Sequence, residues 1–476
     1  LASADLLRGA PEPLAIEPLA GPGALCALAR FPTWSRLETA VRRLQKVTRR
    51  SPTDREAPYA FVNDPVQQYL MDSGRTIGHG LDYDDLRRLQ LDIETATAEG
   101  YEFSNPDRDE DRIVAIGLAD NTGWSELIRG DRLDERSMLE RLVQLIRERD
   151  PDVIEGHNIF SFDLDYLLRR AARHGVTLAI GRDGRPPSVR PGRFAAAERI
   201  ANYPRVDVFG RTVLDTYFLA QIYDVSHRSL PGLGLKDIAR HFGLARPDRE
   251  YIEGPEIGRV FRLDPERVLR YLADDLQETA GLALRLAPVY LAQARIVPMS
   301  LQNMALRGTA AKIDALMLRE YIARRAAIPQ PQPARPFEGG LTEMYEQGVI
   351  RNVHHCDVRS LYPSIMLADR IRPASDHQDV FLALLGRLRD VRLAAKDRMR
   401  AAATDRERAF EEAMQSSFKI LINSFYGYLG FEGARFNDFD AAERVAARGR
   451  ELLRAMVAAI REGGGRPIET DTDGIF

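Results

Sequence analysis

The sequence predicts a multi-domain α/β protein. Three observations lead there. Its 476 residues exceed one ordinary domain and suggest two to four. Strand-like apolar runs alternate with helical periodicities through residues 87–175. A proline-rich break at residues 326–340, "AAIPQPQPARPFEGG", separates that region from the C-terminal part of the chain.

In chain order, residues 1–85 mix short apolar runs with Pro and Gly and read as a small α/β region. "RRLQLDIETATA" (87–98), "RIVAIGLAD" (112–120) and "DVIEGHN" (152–158) read as strands. "DERSMLERLVQLIRERD" between them has apolar residues at three- and four-residue steps, as a helix requires. "GRDGRPPSVRPGRF" (181–194) reads as a loop. Residues 264–294 read as one long helix bent near Pro288. "NVHHCDVRSLYPSIM" (352–366) starts as a strand, and residues 380–425 read as two charged helices joined near Ala403 to Asp405. Residues 440–466 form an amphipathic helix stopped by glycines, and a closing strand and turn carry "ETDTDGIF".

Composition bounds the function only loosely. Hydrophobic residues make up 44% and charged residues 29%, so large cores can form. The 67 Lys+Arg nearly balance the 70 Asp+Glu, a net charge of -3, so there is no global basic footprint for nucleic acid. Two cysteines, Cys26 and Cys356, exclude a disulfide framework and a multi-cysteine zinc site within this chain and point to a reducing compartment. No apolar run reaches the ~18 residues that span a membrane. The N-terminal stretch lacks a basic n-region, so it is not read as a signal peptide, and a cytoplasmic location is expected. Leu1 in place of an initiator Met carries the expectation that the true start lies upstream.

Carboxylates carry the chemistry. Asp92 and Glu94 stand two apart in "LQLDIET" and project to one face of a strand. Two acids on one face of an apolar strand repel, and burial sharpens the repulsion. A cation between them removes the penalty; an edge strand with its polar face in water is the simpler reading of this tripeptide alone. "HNIFSFDLDYL" puts Asn158 and Asp163 at a strand-to-helix junction, where Asp163 could instead cap the helix. "YLADD" puts Tyr271 and Asp275 one helical turn apart on one face, which could also be a solvated one. Together Asp92, Glu94, Asp163 and Asp275 could hold two Mg²⁺ ions ~4 Å apart to clamp a phosphodiester, with Tyr271 orienting a water.

"DIE", "NIFSFD" and "YLADD" resemble, in order and spacing, the three exonuclease motifs of family B DNA polymerases. "GRTVLDTYFLAQ" and "LPGLGLKDIARHFGL" resemble the connecting stretches. The resemblance implies a ribonuclease-H-like domain that removes mispaired 3′ nucleotides. Further on, "CDVRSLYPSIM" presents Asp357, "KILINSFYGYLG" presents Lys419, Asn423 and Tyr426 at helical spacing, and "DTDG" presents Asp471 and Asp473. An isolated Asp-x-Asp also fits metal-dependent glycosyltransferases and Ca²⁺ loops. All three in this order resemble the polymerase motifs of the same family, and the likeness runs over roughly residues 60–476.

The implied architecture is a ribonuclease-H-like exonuclease domain plus an α+β palm with helical fingers, with the thumb absent from this chain. The expected division is an N-terminal domain at 1–85, the exonuclease domain at 86–295, a linker and return to the N-terminal region at 296–350, and a partial palm at 351–476 with fingers at about 375–430. The implied activity is DNA-directed DNA synthesis with 3′–5′ proofreading. The alternatives are an exonuclease-only fragment with an incomplete polymerase site, or a DNA-binding accessory protein. Partners implied are primer–template DNA, dNTPs and a sliding clamp, with no membrane; a prokaryotic chain would sit at the nucleoid. Mg²⁺, two per site, is the implied cofactor, with Mn²⁺ able to substitute.

The resemblance also implies roles. Asp357 and Asp473 bridge two Mg²⁺ ions, and Asp471 is a less direct ligand. Lys419 contacts the triphosphate, and the backbone at Ser360 and Leu361 holds phosphate oxygens. Tyr362 is the steric gate against a ribose 2′-hydroxyl. Asn423 and Tyr426 flank the nascent base pair. Arg392 and Lys396, four apart on a helix, face the phosphates, with Arg389 competing and a solvated helix face as the other reading. Phe337, Gly339 and Gly340 stand where the family carries a "YxGG"-like motif on the template strand, with Phe replacing Tyr; Asn158 is expected near DNA. Gly474 replaces a usual Ser. The expected hairpin lacks its return strand, so a cut palm with an open sheet edge is expected at "ETDTDGIF".

Overall fold

The computed structural model describes residues 1–8, 13–54, 56–196 and 199–476. They form two compact units, one of Ile77–Arg295 with Ser300–Gly308, the other of Leu1–Thr76 with Ile296–Met299 and Thr309–Phe476.

The chain begins with helix α1 (Ala4–Leu7), the antiparallel pair β1 (Ala15–Pro18) and β2 (Ala27–Arg30), and helices α2 (Trp34–Thr48) and α3 (Pro65–Ser73). Next come β3 (Arg88–Thr95), β4 (Ile113–Asp120), β5 (Ser125–Arg129), α4 (Glu135–Arg149), β6 (Val153–Gly156) and α5 (Asp163–Arg173). Strands β7 (Ser188–Ala196), β8 (Arg199–Asp207) and β9 (Thr212–Asp215) come after them, then α6 (Thr216–His227) and α7 (Leu235–His241). Four helices close the stretch: α8 (Ile257–Leu263), α9 (Pro265–Leu286), α10 (Pro288–Ala294) and α11 (Leu301–Leu306). Then come α12 (Thr309–Ala323), β10 (Thr342–Met344), β11 (Cys356–Asp357) and α13 (Leu361–Ala368). The last elements are α14 (Val380–Ala401), α15 (Asp405–Leu429), α16 (Phe439–Glu462), β12 (Glu469–Asp471) and β13 (Gly474–Ile475).

The first unit is built on a five-stranded sheet in the order β5-β4-β3-β6-β9. β3 runs antiparallel to β4 and parallel to β6, so it lies inside the sheet and not at its edge. Leu89, Leu91 and Ile93 alternate with Gln90, Asp92 and Glu94 along it, and the apolar set joins Met138, Leu142 and Ile146 of α4 and Leu164 and Leu167 of α5 in one core. α9 packs against β3 and β4 on the sheet. Pro265 starts α9, and the Asp264 side chain accepts from Arg267 N at 3.2 Å as its cap. Pro288 breaks the run expected as one helix, so α9 stops at Leu286 and α10 begins anew.

Residues 188–194, expected as part of a loop, are strand. β7 pairs with β8 in a long antiparallel hairpin, Ser188 opposite Asp207 through Ala196 opposite Arg199. Pro191 faces Pro204 across it, and a two-stranded ribbon has free edges where a proline's missing N–H costs nothing. The prolines and glycine hid the strand from pattern reading.

In the second unit, α14 and α15 are the two helices expected, and they pair closely. A capping box makes the turn between them: Thr404 Oγ1 accepts from Glu407 N at 3.2 Å, and Glu407 Oε2 accepts from Thr404 N at 3.1 Å. Asp438 caps α16 by accepting from Ala441 N at 2.9 Å, and Gly463 ends it. The proline-rich stretch is irregular but anchored: Gln332 N donates to Asn437 Oδ1 at 2.6 Å and Asn437 Nδ2 returns to Gln332 O at 3.0 Å. The small sheet runs β10-β12-β13-β11. This corrects the expectation of a missing return strand. Gly474 and Ile475 form it, pairing with Thr470–Asp471 on one side and Cys356–Asp357 on the other. Among the described residues no helix is long and apolar enough to cross a membrane.

Gly117 lies opposite Asp92 in the β3–β4 register, and a Cβ there would stand 2.8 Å from Leu276 Cδ1 and 2.9 Å from Leu272 Cγ. The bare backbone lets α9 sit down on the sheet. Gly117→Val is therefore expected to cost about 1–3 kcal/mol through overpacking, read as a lower denaturant midpoint.

Candidate active sites

The sheet and α9 bring the first set of acids together. Oxygens of Asp92, Glu94 and Asp275 lie within 4.8 Å of one another. Glu94 and Asp275 are buried and Asp92 is half-buried. Asp163, 1% exposed, opens α5 but does not cap it; its Oδ1 instead accepts from Ile93 N at 3.1 Å, which ties the helix to β3 between the two acids. Its Oδ2 is buried without a hydrogen-bond partner. The solvated-face and cap readings of these acids therefore fall away. Tyr271 lies buried one turn before Asp275 on α9.

Like charges in a dry place set the electrostatics. Burial, then the charge of Asp275, pushes Asp92 up to about 7. Burial, then Asp92, holds both Glu94 and Asp163 well above the usual carboxylate range. Asp275 is raised by burial although two cations face it. Lys236 Nζ donates to its Oδ2 at 3.1 Å, and Arg249 donates to its Oδ1. Arg249 also pairs with the buried Glu278 at 2.7 Å. Both cations lie over the Tyr271 ring, at 4.4 Å and 4.9 Å from its centroid. Lys236 and Arg249 escaped sequence reading: one sat inside "LPGLGLKDIARHFGL", the other before α8, with no pattern to mark them.

Asp215 also escaped it. It is buried and pushed up to about 7 by that burial. It accepts from Asn158 N at 2.7 Å, Tyr217 N at 3.0 Å and Phe160 N at 3.4 Å, so it fixes the loop that carries Asn158 and leads to Asp163. Asn158 has φ 62°, a left-handed conformation that Asn tolerates.

The donor set fits a hard divalent cation. It is all carboxylate, its charges repel, and one buried oxygen of Asp163 has no partner.

The second set is arranged differently. Asp357, Asp471 and Asp473 are exposed and, with Asp163, fall outside the mutual 4.8 Å group found among the described residues. They still share one sheet end. Asp357 and Asp471 both register with Gly474, and Asp473 O accepts from Val358 N at 2.8 Å. Partial burial and the charges of Asp357 and Asp471 raise the Asp473 carboxyl, with Lys419 opposing. The turn needs Thr472 at φ 56°.

Around it stand the other expected residues. Tyr362 stacks on Tyr426 with ring centroids 4.1 Å apart. A Cβ on Gly340 would meet the Tyr362 hydroxyl at 2.6 Å, and one on Gly449 would meet its Cε1 at 3.0 Å, so two glycines make room for this ring. Burial and neighbouring Tyr426 push the Tyr362 hydroxyl up to about 12. Arg450 donates to Glu338 O at 3.0 Å and to Gly339 O at 2.5 Å and holds the "FEGG" strap on α16. Phe337 is half-buried, its ring against Gly430 and Phe439. Lys419 and Asn423 are exposed on α15.

Ser360 has φ 54° ahead of α13 with buried Leu361, and Arg392 donates to its hydroxyl at 3.1 Å. Burial and Arg359 lower Arg392, while Arg359 and Arg400 lower Lys396. Arg359, which no motif marks in the sequence, thus completes a cationic group. Arg389 is paired with Asp390 at 3.0 Å instead.

Known proteins match both regions. A family model described as DNA polymerase family B, exonuclease domain, matches residues 71–229, and one described as DNA polymerase family B matches residues 369–472. DNA polymerase 1 of Pyrococcus abyssi is 29% identical over 453 residues, covering 86% of this chain and 56% of its own length. A DNA polymerase of Pyrococcus glycovorans is 30% identical over 455 residues with the same coverage, 86% and 56%. The chain thus spans about half the length of these relatives. The family B DNA polymerase from Pyrobaculum calidifontis is similar in structure, with TM-score 0.74 and 22% identity over 99% of this chain and 67% of that one.

The first site's charges make a stability prediction. Between about pH 4 and pH 7 the folded chain keeps protons on buried carboxyls that the unfolded chain has lost, so stability falls as pH rises through that window. In a chelator the melting temperature should drop by several degrees from pH 5.5 to pH 8, on the order of 2–4 °C per kcal/mol. Mg²⁺ at pH 8 should restore it, and Asp163→Asn should flatten the profile. A pH-independent melt would contradict the charge clustering.

Proposed function

The chain belongs to family B of the DNA polymerases, and on that premise we propose that it carries out DNA-directed DNA synthesis with 3′–5′ proofreading. The observation that carries the reading is the convergence of Asp92, Glu94 and Asp275 beside the unpartnered Asp163 oxygen, with Asp92, Glu94 and Asp163 inside the exonuclease-matched residues 71–229.

The proposed division assigns a ribonuclease-H-like nuclease to residues 86–295; a central strand antiparallel to its neighbour on one side and parallel to its neighbour on the other supports it. The proposed palm lies in residues 351–476, with α14 and α15 as fingers. Residues 1–85 and 296–350 then form the N-terminal domain and the segment returning to it, a reading that the Ala20–Ala326 and Leu25–Ile328 bridges support.

Asp92, Glu94, Asp163 and Asp275 are the proposed ligands for Mg²⁺ in the nuclease site, and Asp357, Asp471 and Asp473 in the polymerase site. Divalent cations bound there would neutralise the carboxylates and make a water or hydroxyl more acidic. The chain's own groups do the rest. Tyr271 orients the water, and Asn158 in one unit and the Phe337–Gly340 strap in the other each contact DNA. Lys419, Arg392 and Lys396 neutralise the triphosphate, with the backbone at Ser360 and Leu361 as donors. Tyr362, wedged against Gly340 and Gly449, bars a 2′-hydroxyl, and Asn423 and Tyr426 border the base pair. Primer–template DNA and dNTPs are the proposed substrates, with Mn²⁺ as the substitute ion.

A nuclease-only reading is favoured by one observation: Asp92, Glu94 and Asp275 lie within 4.8 Å of one another with Glu94, Asp163 and Asp275 buried, whereas Asp357, Asp471 and Asp473 are exposed and form no such group among the described residues. A 5′-labelled primer on a longer template separates the two. Extension with dNTPs and Mg²⁺ supports the polymerase, and shortening in both the presence and absence of dNTPs supports the nuclease alone. Asp357→Ala should cut extension, and Asp163→Ala shortening, by about 10²–10³-fold each, the scale of removing one charge-stabilising group. If neither strand length changes under any condition, the reading is wrong. Tyr362→Ala should raise ribonucleotide incorporation relative to dNTPs in the same assay, with little change in exonuclease rate.

A further inference from the structure

If the first carboxylate centre binds metal, as proposed above, a residue outside its ligand set acquires a role. Asp275 is the member of that set whose two oxygens are both engaged by cations of the chain itself. The two cations differ. Arg249 is committed elsewhere: its side chain is 1% exposed and it also pairs with the buried Glu278 at 2.7 Å. Removing it would leave a second buried carboxylate without a cation.

Lys236 is placed otherwise. Its ammonium lies 3.1 Å from Asp275 Oδ2, its side chain is 30% exposed, and it rests over the Tyr271 ring. A lysine ammonium is a point charge on a flexible stem, with no planar fork to lock it. It can leave Asp275 and keep both the ring face and solvent. The oxygen it holds belongs to the carboxylate that comes within 4.8 Å of Asp92 and Glu94. A divalent ion drawn to those three acids thus meets a resident monovalent cation.

We propose that Lys236 is a displaceable internal counterion, a positioning residue that holds Asp275 while the centre lacks metal and competes with the divalent ion for it. It thereby sets the metal concentration at which the nuclease centre fills. Arg249 is the fixed partner, and Lys236 is the one that yields.

The test is a Mn²⁺ titration of the full chain, following free Mn²⁺ by electron paramagnetic resonance. An Asp357→Ala background weakens competing binding at the second carboxylate set. Lys236→Met should tighten the nuclease-centre Kd by about five-fold or more, the lower end of ordinary coupling between two sites. Lys236→Arg, which keeps a cation there, should leave the Kd near that of the parent chain. Lys236→Gln carries the same expectation as Lys236→Met should the latter fail to fold, as judged by melting in chelator. An unchanged or weaker Kd in both neutral variants overturns the competition, because a merely supportive lysine could not improve binding when removed. If the parent chain shows no saturable Mn²⁺ binding that Asp163→Asn removes, the metal reading itself fails and the competition goes with it.

Discussion

Four carboxylates held in a dry junction are the constraint on which the first unit depends. Asp92 and Glu94 cannot turn away, because β3 is interior to the sheet and its alternate residues build the core under α4 and α5. Asp163 cannot turn away, because its bond to Ile93 N ties α5 to the strand. Asp275 is carried in by α9, whose close seat depends on Gly117 having no side chain. Folding therefore stabilises a geometry whose charges oppose it. The opposition is relieved partly by protons, partly by Lys236 and Arg249, and in the proposed function by metal.

The second site solves a different problem. Its acids stay exposed, and their spacing is set by a hairpin of very short strands. What is tightly packed there is the ring of Tyr362, against Tyr426 and two glycines on separate elements. Shape is fixed in the second site where charge is fixed in the first. In the proposed function the first would position a water and the second would reject a wrong sugar.

Much of this was legible because order and spacing carry more information than composition. The paired acids of "LDIET" lie on one strand face, and "YLADD" puts Tyr271 and Asp275 on one helix face, as local periodicity requires. The α14–α15 turn falls at the expected Ala403 to Asp405 junction, where Thr404 and Glu407 form a capping box. The β7–β8 hairpin was not, since proline and glycine at paired free-edge positions look like loop. The return strand at Gly474–Ile475 was not either, because two residues show no period and pairing on both sides is a tertiary fact. Lys236, Arg249, Asp215 and Arg359 lay hidden for the same reason. Each is a single charged residue whose role comes from what folds up beside it.

The two sites also mirror one another in sign. In the first, burial raises carboxyl groups that repel each other, and cations answer them. On α14, burial and then Arg359 lower Arg392, and Arg359 and Arg400 lower Lys396, while the acids of the second site lie at the sheet end. A cluster of like charge resists its own charged state until the opposite charge arrives. In the proposed function a triphosphate with its metal ions carries both signs, so it would answer the arginines and the aspartates at once.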